Sequence, residues 1–255
     1  MIRYDVQDAV AQILLDHPPV NGLTPELLDL MMARLRQAGS DPQVRAIVLG
    51  SAVPGRFCGG LDLPKFHAAS PADKHAVVHK LYFELFDVQS SLPKPVIGAI
   101  TGAVRGGGMS VAITCDLLVA AQDSTFGYPE LEVGLLPSIH FNHLHRLVGR
   151  YRAFDLLFTG RVFSAQDALE LGLLSHTAPA DAVLAKAHEL AAVLAAKSPQ
   201  LMRLGKAAFV RATDQGYRQA AGSAVDLVST VLGTPDSIEG LAAFAEKRKP
   251  QWSDT

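Results

Sequence analysis

The chain contains few cysteines and no long run of apolar residues. Its two cysteines, Cys58 and Cys115, are too few for a disulfide framework, and no Cys-x-x-Cys or Cys/His zinc spacing is present. The longest apolar run, residues 95–104, is far shorter than a membrane span, and the start of the chain lacks the apolar stretch of a signal peptide. We therefore expect a soluble cytoplasmic protein with no membrane partner and no metal site.

Charge of either sign is also scarce. Lys and Arg number 23 and Asp and Glu number 25, and the longest basic run is Lys247-Arg248-Lys249. Nucleic-acid-binding proteins carry a basic face, so nucleic acid is not expected as a partner. Charged residues make up 19% of the 255 residues, against roughly 25% in ordinary soluble domains. A surface so poor in charge predicts a subunit interface.

Hydrophobic periodicity and turn residues predict an α/β chain that becomes all-helical around residues 180–200. Predicted strands cover residues 2–6, 10–15, 46–49, 95–101 and 117–120, the first two as an antiparallel hairpin. Helices with N-cap signals are predicted to follow Thr24, Ser70 and Ser164. The Ser70 helix is expected to bury Val78, Leu81 and Leu85, and the Ala-rich residues 181–249 are expected to form helices only.

Two glycine-rich segments follow predicted buried strands. Residues 55–62 follow the strand 46–49, and Gly106-Gly107-Gly108 separates the strand 95–101 from a short predicted helix over 109–115. Glycines let a backbone come close to a ligand, and two backbone N–H groups form an oxyanion hole. An ordinary tight turn explains the same glycines. The dinucleotide fingerprint GxGxxG is absent.

Gly108-Met109-Ser110-Val111-Ala112 approximates the GxSxG motif of serine hydrolases. Such a triad needs an aspartate and then a histidine downstream, and no histidine lies in the last 67 residues, where such folds usually carry it. Labelling of Ser110 by a fluorophosphonate would favour this interpretation.

Glu130 lies at the start of an apolar stretch that continues through Leu131, Val133, Leu135 and Leu136. Desolvation in such a place would raise the pKa of its carboxyl towards that of a useful general base. A glutamate on a solvated turn is the alternative.

In order and spacing, nine motifs resemble the crotonase (enoyl-CoA hydratase/isomerase) superfamily over nearly the whole chain. They are Asn21-Gly22-Leu23, residues 45–49, 57–62 and 106–108, Cys115-Asp116, residues 126–130 and 134–137, Thr159-Gly160-Arg161, and Glu239-Gly240 with residues 243–248. The resemblance implies a crotonase-type spiral of repeated ββα units over residues 1–195, which holds an acyl-CoA site. It implies a C-terminal helical region over 196–255 that builds homotrimers, often stacked as hexamers.

The resemblance also implies a ligand and its contacts. The substrate would be an acyl-CoA, as in fatty acid metabolism, with coenzyme A entering as part of the substrate and no cofactor bound permanently. By motif position, the amides of Leu61 and Gly107 would polarise the thioester carbonyl. The family's loop lysine is replaced here by Pro64, with a lysine next to it. The residues implied to contact CoA are Cys58, Gly59, Gly60, Leu61, Lys65, Phe244 and Lys247.

Ser110 marks a departure from the family pattern. Family hydratases carry one glutamate at this place and another twenty residues on, and this chain keeps only the second, Glu130. Enoyl-CoA isomerases of the family commonly work with that one carboxylate. We therefore predict an isomerase or hydratase-like lyase that favours isomerisation. The alternatives are an acyl-CoA hydrolase or decarboxylase of the same fold, or a catalytically degenerate acyl-CoA-binding or RNA-associated subunit.

A second departure follows Pro137, where residues 138–145 replace a glycine-rich family segment and contain His140, His143 and His145. His140 is a candidate second acid/base, because imidazole titrates near neutral pH. A structural histidine is the alternative. His143 with His145, and His75 with His79, are possible metal pairs that lack further ligands.

Overall fold

The computed structural model describes residues 1–214 and 234–253, apart from a few side chains inside helices. The remaining part of the predicted helical region, residues 215–233, lies outside the described residues. Within the described ranges, no helix is long and apolar enough to cross a membrane.

Strands in the described part of the chain form two sheets. They are β1 (Ile2–Gln7), β2 (Val10–Leu15), β3 (Ala46–Ser51), β4 (Arg56–Cys58), β5 (Val96–Ile100), β6 (Ala103–Arg105), β7 (Leu117–Ala121), β8 (Thr125–Gly127), β9 (Phe163–Ser164) and β10 (His176–Ala178). The larger sheet has the order β1-β2-β3-β5-β7-β10, and the smaller one has the order β4-β6-β8-β9. The predicted antiparallel hairpin of β1 and β2 is confirmed, and β2, β3, β5, β7 and β10 run parallel.

The described helices surround these sheets. They are α1 (Pro25–Ser40), α2 (Leu63–Ala68), α3 (Pro71–His79), α4 (Leu85–Ser91), α5 (Gly107–Ile113), α6 (His140–Val148), α7 (Arg150–Thr159), α8 (Ala165–Glu170), α9 (Val183–Ala195), α10 (Pro199–Asp214) and α11 (Pro235–Glu246). A π-helical turn, Lys80–Glu84, joins α3 to α4, and 3-10 turns cover Pro129–Val133 and Ala180–Ala182.

The two sheets are built from one repeated unit. Each of β3, β5 and β7 passes through a short turn into β4, β6 and β8 of the smaller sheet, and a helical segment follows each short strand. Because β3, β5 and β7 pair in parallel, and so do β4, β6 and β8, the three units stack with the same orientation. This arrangement confirms the predicted repeat of ββα units, and it brings the ends of β4, β6 and β8 together.

Local signals account for the main helices. The Thr24 side chain accepts a hydrogen bond from the Leu27 amide at the start of α1, and Pro25 occupies the first helical position. Ser164 and Asp167 form a capping box at α8, as predicted from the sequence. The alanines of α9 allow it to pack closely on one face of the larger sheet.

The structure corrects three details of the sequence analysis. The glycine-rich segment 55–62 contains β4, and β6, β8, β9 and β10 were not predicted, because strands of two or three residues are too short to show a period. The helix after Ser70 is broken by the π-helical turn, which shifts its buried face. Leu81 and Leu85 are buried as predicted, but Val77 is buried in place of Val78.

Candidate active site

A cavity of about 330 Å³ opens where the short strands end. Its wall is formed by the loop after β4, the start of α5, the π-helical turn and the segment after β8. Most lining side chains are apolar, and the polar ones among the described residues are Tyr82, Glu130 and Ser138. A concave, mainly apolar site with few polar groups is the usual form of a small-molecule site.

The loop after β4 is held by backbone contacts with Leu23. The Leu23 amide donates to the Gly60 carbonyl at 2.7 Å, and the Asp62 amide donates to the Leu23 carbonyl at 3.0 Å. This parallel bridge turns the amide of Leu61 away from Leu23. Gly60 has a φ of +90°, and a Cβ there would lie 3.1 Å from the Gly107 nitrogen. Only glycine therefore allows the two loops to approach this closely.

Gly107 is the first residue of α5 and lines the cavity together with Leu61. Neither amide donates a hydrogen bond to an acceptor in residues 1–214 or 234–253. A Cβ on the next residue, Gly108, would overlap the Cys58 carbonyl, so this glycine is needed for α5 to pack on β4. Two unpaired backbone donors thus lie on one cavity wall, as an oxyanion hole requires.

Glu130 lies in the 3-10 turn that follows β8. Its residue is 9% exposed, and its carboxylate packs against Gly106, where a Cβ would lie 3.5 Å from Oε1. The buried Oε2 atom has no hydrogen-bond partner among the described residues. Burial raises the pKa of Glu130. The structure therefore agrees with the desolvated carboxylate predicted from the apolar stretch, and not with a solvated turn.

Tyr82 is a cavity residue that the sequence analysis missed. It lies in the π-helical turn and lines the cavity together with Glu130, and both burial and the charge of Glu130 raise the pKa of its phenol. An irregular turn has no periodicity that a sequence pattern could reveal.

Ser110 and His140 contact each other close to the cavity-lining residues Gly107 and Ser138. The Ser110 Oγ and His140 Nε2 atoms are 3.3 Å apart, and His140 Nδ1 lies 3.3 Å from Nε2 of His143. Ser110 is 4% exposed and His140 is 1% exposed. Burial lowers the pKa of both histidines, and the Tyr128 ring packs edge-on against His140 at 4.6 Å. Ser110 and His140 both depart from the family pattern, and this shared departure is the sequence signal that links them.

The residues implied to contact CoA are not all brought together. Gly59, Gly60 and Leu61 line the cavity, but the thiol of Cys58 faces the core. It contacts the Asn21 carbonyl at 3.3 Å, and burial raises its pKa to about 12. Cys58 therefore offers no side-chain contact to a ligand.

Neither lysine among the remaining implied contacts lines the cavity. Lys65 is exposed on α2, whose first turn is capped by Asp62. Lys247 is exposed just beyond α11, and the side chain of Phe244 lies outside the described residues.

Metal-ligating side chains do not gather in the described part of the chain, where no group of three or more His, Cys, Asp or Glu forms a site. His75 and His79 lie on α3 with ring centroids 6.4 Å apart, and His79 stacks on Phe83. These histidines therefore belong to an aromatic stack on the helix surface.

The chain is similar in sequence and structure to one family of known enzymes. The family model described as enoyl-CoA hydratase/isomerase matches residues 5–255. A probable mitochondrial enoyl-CoA hydratase 2 of Arabidopsis thaliana is 34% identical over 250 residues, which are 96% of this chain and 81% of that protein. A probable enoyl-CoA hydratase of Bacillus subtilis is 33% identical over 254 residues and 98% of each chain. The crystal structure of an enoyl-CoA hydratase from Bacillus anthracis superposes with a TM-score of 0.93 at 30% identity, covering 100% of this chain and 99% of that one.

Proposed function

The chain belongs to the enoyl-CoA hydratase/isomerase (crotonase) family, whose enzymes act on coenzyme A thioesters without a permanent cofactor, and on that premise we propose how its cavity works. The thioester carbonyl of an acyl-CoA accepts hydrogen bonds from the Leu61 and Gly107 amides. These donors are unpaired toward the described residues and rigidly placed, so they stabilise the enolate that forms when a proton leaves C2.

Glu130 is the acid/base in this proposal. It removes a proton from C2 of a 3-enoyl-CoA and returns a proton at C4, while the enolate stays in the oxyanion hole. The observation that carries the proposal is that Glu130 is the only acidic residue among the described residues that line the cavity. Its raised pKa suits a group that both accepts and donates a proton near neutral pH.

Isomerisation is favoured over hydration because hydration needs two acid/base groups. One group holds and deprotonates the water, while the other delivers a proton to C2. Ser110, in the place of the first family glutamate, binds water but is a poor base. Hydration is the second candidate, because the Arabidopsis thaliana and Bacillus subtilis relatives are named probable hydratases.

A direct comparison of the two reactions tests the proposal. We expect kcat/KM for isomerisation of a 3-enoyl-CoA to exceed that for hydration of crotonyl-CoA by at least about tenfold, or roughly 1.4 kcal/mol in barrier. Glu130→Gln should lower the isomerisation rate by about 10² to 10⁴. Glu132→Gln is the matched control, because Glu132 is an exposed carboxylate in the same turn. Faster hydration, or a Glu130→Gln variant with most of its isomerase rate, would contradict the single-carboxylate mechanism.

Several sequence predictions stay proposals. They are CoA contacts from residues 58–61, Lys65, Phe244 and Lys247, the division into regions 1–195 and 196–255, and the homotrimer or hexamer. The cytoplasmic location is also a proposal, since relatives include proteins named as mitochondrial.

A further inference from the structure

Three side chains that the isomerisation mechanism does not use form a continuous row. Ser110 contacts His140, and His140 contacts His143, with both nitrogens of the His140 ring engaged at 3.3 Å. The row adjoins residues of the cavity wall. Ser110 follows the cavity residue Gly107 by one helical turn, and His140 follows the cavity residue Ser138 by two positions.

The distances in this row allow one consistent direction for its hydrogen bonds. Nδ1 of His140 lies 3.3 Å from Nε2 of His143, so one of these two nitrogens donates to the other. With the hydrogen of neutral His140 on Nδ1, that atom donates to Nε2 of His143. Nε2 of His140 is then left to accept a hydrogen bond from the Ser110 hydroxyl.

This is the order of a hydroxyl nucleophile, a general base and a group that orients the base. We propose that Ser110, His140 and His143 form such an array and give the protein a second activity, the hydrolysis of acyl-CoA thioesters through an acyl-serine intermediate. The inference rests on the proposed thioester site, because the carbonyl under attack must lie at the Leu61 and Gly107 amides.

The reaction balances with water as the second substrate. Ser110 Oγ forms a bond to the thioester carbonyl carbon while its proton passes to His140 Nε2. The C–S bond then breaks, and coenzyme A leaves as a thiol with the proton from His140. Water next gives a proton to His140 and attacks the acyl-serine ester, and the serine oxygen leaves with that proton. The products are a carboxylic acid and free coenzyme A.

A saturated substrate distinguishes thioester hydrolysis from the proposed isomerisation. Butanoyl-CoA has no carbon–carbon double bond in its acyl chain, so it can be neither isomerised nor hydrated. We expect the full chain to release thiol from butanoyl-CoA, to gain the mass of one butanoyl group on Ser110, and to be labelled there by an alkyl fluorophosphonate. The thiol assay needs an enzyme blank, although both cysteines of the protein have raised pKa values and react slowly.

Variants of the row distinguish catalysis from packing. Ser110→Ala should abolish thiol release and labelling, and His140→Gln should lower release by about 10² to 10⁴. His143→Leu should lower kcat by about tenfold or more with KM unchanged, whereas His143→Glu, whose carboxylate accepts the same hydrogen bond, should restore it. His145→Gln is the matched control, because His145 is exposed on the same helix and its side chain hydrogen-bonds to the Phe141 carbonyl and not to the row.

The outcomes separate the two proposals. A folded protein that releases thiol no faster than Ser110→Ala, or that is labelled at Ser110 without turnover of saturated thioesters, overturns the hydrolytic activity. Equal rates for His143→Leu and the unmodified protein overturn the orienting role of His143. Thiol release without isomerisation of 3-enoyl-CoA supports the hydrolytic role of the row and contradicts the role of Glu130. Isomerisation without thiol release contradicts the hydrolytic role of the row and leaves the role of Glu130 intact.

Discussion

Glu130 is a buried carboxylate with one unpartnered oxygen, and such a group destabilises the fold when it is ionised. Its pKa is raised in the folded state, so the folded protein binds this proton more tightly than the unfolded chain does. The stabilisation from that proton is present below the ordinary carboxyl pKa and is lost as pH rises through the raised value. The ionised carboxylate therefore lowers the free energy of unfolding at neutral pH.

Glu130→Gln should accordingly raise the free energy of unfolding by about 1 kcal/mol at pH 7, as often occurs when a functional charge is removed. The gain should shrink at about pH 4, where the glutamate is protonated in both states. Urea unfolding at the two pH values measures it, with the exposed Glu132→Gln variant expected to show no gain. A Glu130→Gln variant less stable than the unmodified protein at pH 7 would contradict the desolvation argument.

The same raised pKa governs the pH dependence of the proposed isomerisation. Glu130 must be ionised to remove a proton from C2, so kcat/KM should rise with pH and level off above the pKa of Glu130 in the free enzyme. Tyr82 and Tyr128 near this carboxylate have raised phenol pKa values and stay protonated over the same range. A rate profile between about pH 4 and 9 should place the midpoint above the ordinary carboxyl range. A midpoint within that range would show that the acting group is solvated.

Residue-level prediction succeeded where chemistry follows the local sequence. The apolar stretch after Glu130 predicted its burial. The glycines around Leu61 and Gly107 were predicted to let the backbone approach a ligand, and the structure brings these two segments together. The contact between Ser110 and His140 spans 30 residues and depends on how α6 packs behind α5. No local pattern carries that information.

At the scale of elements, α5 offers a test of the oxyanion hole. Gly107→Pro removes one donor at the first position of a helix, where proline is tolerated. The value of kcat should fall by about a hundredfold or more. Gly107→Ala is the matched control, because it keeps the amide and adds a Cβ to the same space, 3.0 Å from a Leu81 methyl group. If both variants are folded and equally active, the Gly107 amide is not a donor to the substrate.

Helix α10 is fastened to the larger sheet by a buried ion pair. Lys206 Nζ lies 2.7 Å from Asp116 Oδ2 and 3.0 Å from the Lys94 carbonyl, and its side chain is 6% exposed. Asp116 also accepts a hydrogen bond from the Val96 amide at the start of β5. The pair therefore joins α10 to two adjacent strands.

Lys206→Met should lower the free energy of unfolding by about 2 to 3 kcal/mol, because Asp116 loses its charged partner in a partly buried place. Lys186→Met is the control. Lys186 pairs with Glu189 on the surface of α9, where such pairs contribute less than about 0.5 kcal/mol. Chemical denaturation of both variants measures the difference, and equal losses would show that the Lys206 pair does not anchor α10.

Elements that carry their own signals were predicted well. The caps at Thr24, Ser70 and Ser164 each appear as predicted, with a side-chain oxygen bonded to a backbone amide of the first turn. The short strands β4 and β6 were missed, although they set the mouth of the cavity. Their pairing is stabilised by the neighbouring units of the repeat and not by their own three residues.

At the scale of the whole molecule, aromatic side chains gather on the surface of α6 and α7. Phe141 and Phe154 both stack on Phe158, with ring centroids 5.7 and 4.2 Å apart. Tyr151 is 86% exposed and Phe154 is 61% exposed. Together with the low charged fraction of the sequence, this aromatic face is the kind of surface that another subunit covers.

The family resemblance implies a trimer or a dimer of trimers, and we expect the aromatic face of α6 and α7 to be buried between copies in that assembly. Light scattering at micromolar concentration should give about three or six times the chain mass of 27.2 kDa. Phe154→Glu should shift the protein towards the monomer, because a carboxylate buried at an interface without a partner costs several kcal/mol. Phe83→Glu is the control, since Phe83 is 60% exposed but stacks on His79 of α3. A monomeric mass for the unmodified protein excludes the assembly. Equal dissociation of the Phe154→Glu and Phe83→Glu variants would contradict an interface at α6 and α7.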